Sequence, residues 1–267
     1  MHEAIGFLGL GNLGRPIVTN LMAAGHQLTI YNRDAGKVAP FVERGAVCAN
    51  QPLDVVSPGG VVLSLLWDDA SVETIVRSEG FLARLGTGGV HVSMTTLSPD
   101  CSRRLMALHA EHGSAMVEAP IFGRPEAAVD KKLWIVTAGA EAAKQRVRPV
   151  LRAAGAQGVF DFGEQAGAAL AVKLIGNMLI ISAMASLKEG LALSQKMGVP
   201  PQSVVDMLTT TLFPSPIYQS YGRLIAQGVS GAVDNRIPAK DVGLFKSAAE
   251  ALGVSATVSG TLLSLYQ

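Results

Sequence analysis

Short apolar runs alternate with helix-spaced segments along the first 162 residues. Runs at 4–8, 27–31, 61–66, 89–93 and 115–118 have strand length. The 61–66 run is almost wholly apolar, as a strand covered on both faces requires. Helical spacing marks 15–24, 37–44, 71–76 and 100–111. The first two of these stop at Gly25 and Gly45, residues suited to ending a helix. Later strands at 133–138 and 158–162 flank a helix at 141–153. This alternation predicts βαβ units and a doubly wound, mostly parallel sheet covered by helices.

The pattern changes after Phe162. Residues 163–197 read as one very long helix, followed by helical segments at 201–208, 217–227, 241–251 and 255–266. The chain is therefore expected to comprise an α/β domain over 1–162 and an all-helical substrate and dimerisation domain over 163–267. The second domain is small and its first helix very apolar. A homodimer or homotetramer is expected to cover that surface. The chain ends inside a helical pattern, which suggests that a native tail is missing.

Composition narrows the class. Hydrophobic residues are 49% and charged residues 16% of 267, which excludes a disordered chain. A net charge of +1 gives no field to attract nucleic acid or an acidic membrane. Cys48 and Cys101 are too few and too widely spaced for a disulfide framework or a metal signature. No basic, apolar leader opens the chain, so a cytosolic location is expected. Residues 167–187 are long enough to span a bilayer, but Lys173 would sit inside at a cost of about 3 kcal/mol. A helix buried in a soluble protein is the expectation.

Gly9-Leu-Gly11-Asn12-Leu13-Gly14 lies between the first strand and the first helix. Gly9 permits a tight turn, Gly11 lets a pyrophosphate approach the backbone, and Gly14 lets helix and strand pack closely. The helix start at Asn12 and Leu13 offers N–H groups to negative charge. The fold expected is thus a Rossmann-type dinucleotide-binding sheet. The second strand ends at Asn32-Arg33, where an NAD site needs a carboxylate for the ribose 2′-hydroxyl. Arg33 suits a 2′-phosphate instead, so NADP(H) is expected over NAD(H). Asp34 could swing in, and Arg33 could be a solvated loop charge.

The segment 6–16 resembles the start of the β-hydroxyacid dehydrogenases, a family that includes 3-hydroxyisobutyrate dehydrogenase and glyoxylate/succinic semialdehyde reductases and is related to 6-phosphogluconate dehydrogenase. Leu65-Leu66-Trp67-Asp68 is similar to that family's cofactor-lining loop. Thr95-Thr96-Leu97-Ser98-Pro99 resembles its segment near the nicotinamide. Gly167 to Asn177 resembles its Gly-x5-Lys-x3-Asn catalytic segment, and Lys240-Asp241 its late Lys-Asp pair. The resemblance implies cofactor contacts at Leu65, Leu66, Thr96 and Lys240, with Ser98, Phe122, Gly123 and Arg124 on the substrate. Thr96 and Ser98 are equally explained as helix caps, and Lys240 as a surface charge. One segment departs from the family's Asp-Ala-Pro-Val-Ser-Gly-Gly. This chain has Glu118-Ala119-Pro120-Ile121-Phe122-Gly123-Arg124, so the carboxylate-holding hydroxyl is replaced by a ring. Either Arg124 takes over an anionic group, or the pocket accepts something bulkier and less polar.

Lys173 and Asn177 lie four apart on an apolar helix and so share a face. Two polar groups on such a stripe must meet water, each other or a ligand. A desolvated lysine gives up its proton more readily, which suits reduction of a carbonyl. The expectation is an NADP(H)-dependent oxidoreductase that interconverts a small aldehyde or ketone acid and its hydroxy acid, with its site in an interdomain cleft. Lys173 is then the general acid/base, and Asn177 orients the substrate oxygen or the amine. A pairing of Lys173 with Glu164 or Glu189 is the structural alternative. An imine reductase and a non-catalytic nucleotide-binding protein are the functional alternatives. His2, His26, His91, His109 and His112 suggest no relay and no metal site. Met178, Met184 and Met197 read as helix core.

Overall fold

A computed structural model describes residues 3–228 and 236–266. The chain divides into two units, Met1–Lys173 and Leu174–Gln267.

The first unit is built from β1 (Ile5–Leu8), α1 (Gly14–Ala23), β2 (Leu28–Tyr31), α2 (Ala39–Val42), β3 (Val47–Cys48), β4 (Val61–Ser64), α3 (Asp69–Val76), α4 (Phe81–Leu85), β5 (Val90–Ser93), α5 (Pro99–Glu111), β6 (Ala115–Glu118), β7 (Ile121–Phe122), α6 (Pro125–Val129), β8 (Leu133–Thr137), α7 (Glu141–Ala153) and β9 (Ala156–Asp161). The start of α8 (Ala168–Lys196) belongs to it as well.

Six strands form a parallel sheet in the order β3-β2-β1-β4-β5-β6. Ile5 pairs with Leu28 on one side and Val61 on the other, so the strand order reverses at β1. In such sheets the crevice at the reversal, beyond the carboxyl ends of the strands, is where ligands bind. Strands β1, β4, β5 and β6 are mostly apolar because both faces are covered, with Ser64, His91, Ser93 and Glu118 as buried polar exceptions. Ile5, Phe7, Val61 and Leu63 pack on one side with Ile17, Leu21 and Val147. Leu8 and Val62 face the other side with Val72, Phe81, Leu97 and Leu105. The buried Asn20 of α1 donates to the carbonyls of Ala128 and Ala154 at 2.8 and 3.1 Å, which ties the first helix to the ends of α6 and α7.

The later strands do not extend this sheet, contrary to the simplest reading of the sequence. β8 and β9 pair in parallel, and the two-residue β7 lies antiparallel to β8. This three-stranded sheet meets the first through paired backbone bonds between Glu118 and Ala138. β3, β7, α4 and α6 are too short to display a period, so the hydrophobic pattern does not reveal them.

The unit boundary lies beyond the Phe162 division expected from the pattern. Ala168, Ala169 and Leu170, at the start of α8, pack into cores of the first unit. The long helix therefore starts as part of the α/β body.

The second unit holds the rest of α8 with α9 (Pro201–Thr210), α10 (Pro216–Ala226), α11 (Arg236–Ala251) and α12 (Thr257–Ser264). Ile181, Val242 and Leu262 form its core with Ala185, Leu263 and Tyr266. Gly222 allows α10 to approach α9, since a Cβ there would meet Val205 Cγ1 at 2.9 Å. Much apolar surface on α8 is exposed, including Ile175, Leu179 and Leu193. Met184 is buried and Met178 half-buried, but Met197 is 72% exposed and is not core. Among the described residues α8 is the one helix long and apolar enough to cross a membrane, and about a third of its most apolar window is buried.

Candidate active site

The glycine turn has the shape its residues demand. Gly9 has φ +101°, and a Cβ there would strike the Leu65 carbonyl oxygen at 2.3 Å. A Cβ on Gly14 would meet the Gly9 carbonyl oxygen at 2.2 Å. Gly11 differs, because a Cβ there meets nothing within 4 Å. Two of the three glycines are thus required by the fold itself, and the third faces open space. The start of α1 at Asn12, Leu13 and Gly14 carries the N–H groups that lack intrahelical acceptors. An anionic pyrophosphate fits this arrangement.

Asn32 holds the turn in place. Its Oδ1 accepts from Leu10 N–H at 2.9 Å, and its Nδ2 donates to the Asp34 carbonyl at 2.9 Å. Arg33 is exposed beside it. Asp34 Oδ1 accepts from Gly36 N–H at 3.0 Å and caps the short turn Ala35–Lys37. The one carboxylate near the end of β2 is therefore engaged locally.

Leu65 and Leu66 follow β4 and are half-buried. Leu66 N–H donates to Thr95 Oγ1 at 2.8 Å, so Thr95 fixes this loop while Thr96 stands half-buried beside it. Ser98 is the N-cap of α5. Its Oγ accepts from Cys101 N–H at 3.1 Å and donates to Asp69 Oδ2 at 2.5 Å. The helix-cap reading of Ser98 describes its contacts.

Lys173 is 8% exposed. Its Nζ donates to the Ile121 carbonyl at 2.6 Å and lies 4.4 Å from the centroid of the Phe122 ring. Glu164, one of the two partners the sequence allowed for Lys173, accepts from Glu141 N–H through Oε1 at 2.8 Å. Phe122 packs with Val136, Ala138, Ala168, Ala169 and Val172. Gly123 has φ +147° and sits against the Leu133 side chain. Arg124 pairs with Glu126 at 3.4 Å.

The segment's first residue, Glu118, is buried and accepts from Ser102 Oγ and from the N–H groups of Gly167, Ala169 and Leu170. Burial raises its carboxyl above the usual carboxylate range, and these donors only partly offset the rise.

In the second unit, Asn177 Nδ2 donates to Asp241 Oδ2 at 2.6 Å. Lys240 Nζ pairs with Asp241 Oδ1 at 2.8 Å. One buried carboxylate therefore joins two residues singled out from sequence.

The histidines require a correction. His91 and His109 are buried and linked to each other and to Ser64. The Leu105 carbonyl can only accept, so His109 donates to it from Nδ1 at 2.7 Å. His91 Nδ1–H then donates to His109 Nε2 at 3.2 Å, and Ser64 O–H to His91 Nε2 at 2.8 Å. This one-way chain ties β4, β5 and α5 together. Burial lowers both histidines, His91 well below its ordinary value and His109 to about 4. His2 lies outside the described residues. Among the described residues no group of three His, Cys, Asp or Glu is placed to hold a metal ion.

Thr95, Glu118, the Ile121 carbonyl and Asp241 were not among the site residues expected from sequence. Asp241 alone had a local signal, its place beside Lys240. The others act through partners 16 to 52 positions away.

A glycine turn at the reversal of a parallel sheet, followed by a helical unit, defines a nucleotide-binding α/β protein with an appended helical body. The family comparison is specific within that class. The NAD binding domain of 6-phosphogluconate dehydrogenase matches residues 4–164, and the NAD-binding domain of NADP-dependent 3-hydroxyisobutyrate dehydrogenase matches 167–267. An uncharacterized oxidoreductase of Bacillus subtilis, YfjR, is 39% identical over 84% of this chain and 78% of its own. The chloroplastic glyoxylate/succinic semialdehyde reductase 2 of Arabidopsis thaliana is 29% identical over 99% of this chain and 74% of its own. The solved 3-hydroxyisobutyrate dehydrogenase of Mycobacterium tuberculosis, described with L-serine, superimposes with a TM-score of 0.86 at 26% identity, covering 100% of this chain and 93% of that one. The chain belongs to this dehydrogenase family and is an NAD(P)-dependent oxidoreductase of the hydroxyacid dehydrogenase type.

Proposed function

We propose that this oxidoreductase uses NADP(H) in preference to NAD(H) to interconvert a small aldehyde or ketone acid and its hydroxy acid. The observation that carries the reading is the buried Lys173 ammonium, held by the Ile121 carbonyl and the face of Phe122. A lysine side chain that donates to a carbonyl and rests on a ring face holds its nitrogen at a defined place. The bound nicotinamide supplies or takes up hydride. Lys173 donates a proton from Nζ to the carbonyl oxygen during reduction and accepts it back during oxidation. Asn177 orients the substrate oxygen, with Asp241 fixing its amide plane. The N–H groups at Gly11, Asn12 and Leu13 take the pyrophosphate. Asn32 shapes that turn, and Leu65, Leu66, Thr96 and Lys240 line the cofactor. Gly123 and Arg124 stand at the substrate with Phe122, while Ser98 supports them from its place as a helix cap.

Arg33 supports the NADP(H) preference, because it is exposed at the end of β2 and the neighbouring Asp34 carboxylate is occupied by Gly36. The exposed apolar side chains of α8 support a homodimer or homotetramer. Cofactor oxidation with semialdehydes, 2-oxo acids and cyclic imines, each with NADPH and NADH, tests the reading. Turnover of a carbonyl acid with NADPH at least tenfold above NADH is expected. Turnover of cyclic imines alone, or a preference for NADH, contradicts it.

A further inference from the structure

Four donors converge on one buried carboxylate. Ser102 Oγ–H and Gly167 N–H both reach Glu118 Oε1 at 2.5 Å. The N–H groups of Ala169 and Leu170 reach Oε2 at 3.1 and 3.3 Å. Three of the four belong to the start of α8, whose first N–H groups have no acceptor within the helix. A helix ordinarily meets this need with a Ser, Thr, Asp or Asn at its own N-cap. Here that option is closed. Gly167 has φ +90°, and a Cβ on it would press on Pro99 Cβ at 3.0 Å. The acceptor comes instead from the end of β6, 49 residues earlier in the chain.

The strand that supplies this cap also leads directly to the Lys173 contacts. Three residues past Glu118, the Ile121 carbonyl accepts from Lys173 Nζ, and the next residue lays its ring against the same nitrogen. The segment 118–122 thus grips α8 twice, at its first turn and at Lys173. Glu118 is 1% exposed, and burying a carboxylate costs free energy that a neutral cap would avoid. Two carboxylate oxygens can each receive a pair of donors, which a hydroxyl or an amide cannot do here.

We propose that Glu118 is a positioning residue: it locks the start of α8 to the end of β6 and so sets the Lys173 ammonium against the Ile121 carbonyl and the Phe122 ring. The consequence for turnover rests on the reading of Lys173 as proton donor, but the positioning itself does not.

The test is Glu118→Gln in the full-length protein, with Glu118→Asp as a second variant should the first fail to fold. Glutamine keeps the size but sets an NH2 group against one pair of donors, and aspartate keeps the charge but draws it back by a methylene. The first readout is the NMR spectrum of protein carrying [ε-13C]lysine. The Lys173 resonance, assigned with Lys173→Arg, is expected to be displaced by the Phe122 ring current. In either variant it moves toward the solvent-exposed lysines. The second readout is steady-state kinetics well below the melting temperatures. There kcat is expected to fall roughly 10- to 100-fold, with the cofactor KM within twofold, as misplacement of a reacting group by a fraction of an ångström implies. A lysine resonance unchanged in folded variants overturns the proposal and leaves Glu118 as a stabilising cap. A resonance that moves while kcat stays at the parent level upholds the positioning and overturns the reading of Lys173 as proton donor. If the parent turns over no carbonyl substrate at all, the redox reading fails, and the lysine resonance alone decides whether Glu118 positions Lys173.

Discussion

Phe122 and Lys173 face each other with 4.4 Å between ring centroid and ammonium nitrogen, and the same nitrogen donates to the carbonyl of Ile121, the residue before Phe122. A ring face next to a desolvated ammonium contributes about 2 kcal/mol. Phe122→Leu keeps the apolar packing and removes the ring. We expect kcat to fall by about tenfold in Phe122→Leu and to be largely restored in Phe122→Tyr, which keeps a π face. Steady-state assays of the two variants check this. Equal rates for Leu and Phe would show that volume, not the ring face, matters.

Gly9 and Gly11 separate a fold requirement from a ligand requirement. Gly9→Ala forces a methyl onto the Leu65 carbonyl at a positive φ, and is expected to destabilise by about 2 kcal/mol or more. Gly11→Ala adds a methyl into open space, so the melting temperature should hold while cofactor affinity drops at least tenfold. Thermal melts paired with NADPH titration distinguish the two variants. A Gly11→Ala protein that binds NADPH normally would remove the pyrophosphate from this turn.

Arg33 is the basis of the cofactor preference. Loss of a charge-assisted hydrogen-bonded pair costs about 1.5–3 kcal/mol. Arg33→Ala should therefore raise the KM for NADPH by about 10- to 100-fold and leave that for NADH within twofold. Initial rates with the two cofactors measure it, and equal losses for both would contradict it.

The buried His91–His109 pair makes stability depend on pH in one direction. Both groups are lowered in the folded protein, so the unfolded chain binds more protons below the ordinary histidine value. Their contribution is complete above pH 6.5 and is lost as the pH falls from there toward about 4, the folded value for His109. The loss runs at up to about 1.4 kcal/mol per pH unit for each histidine. Urea midpoints between pH 7.5 and 4.5 should decline, and His109→Gln, which can keep both hydrogen bonds without titrating, should flatten the decline. An unchanged slope in that variant would show that other groups govern acid unfolding.

How much of the molecule is legible in its sequence depends on the reach of each interaction. The continuous apolar run at β4 and the glycine turn are visible because a local pattern encodes them. The helix carrying Lys173 and Asn177 is visible for the same reason. Its first residues, Ala168 to Leu170, pack into cores of the first unit, a contact that no local pattern encodes. Glu118 went unnoticed because its partners lie in α5 and at the start of α8. Nothing local marks it as a helix cap. Thr95 and the His91–His109 chain were missed likewise, since periodicity says which face is buried and not which polar groups meet there. Ser98 shows the reverse case: its place before Pro99 announced an N-cap, and its hydroxyl serves as one.

Catalysis, as proposed for this enzyme, depends most on the proton held at Lys173. Lys173→Met keeps an unbranched side chain and removes the ammonium, and NADPH affinity can be measured separately by titration. We expect kcat for carbonyl reduction to fall by about 10²- to 10⁴-fold, the range for loss of a general acid, with the NADPH Kd within twofold of the parent. A Lys173→Met enzyme that binds NADPH normally and retains more than a tenth of the parent rate would contradict that role.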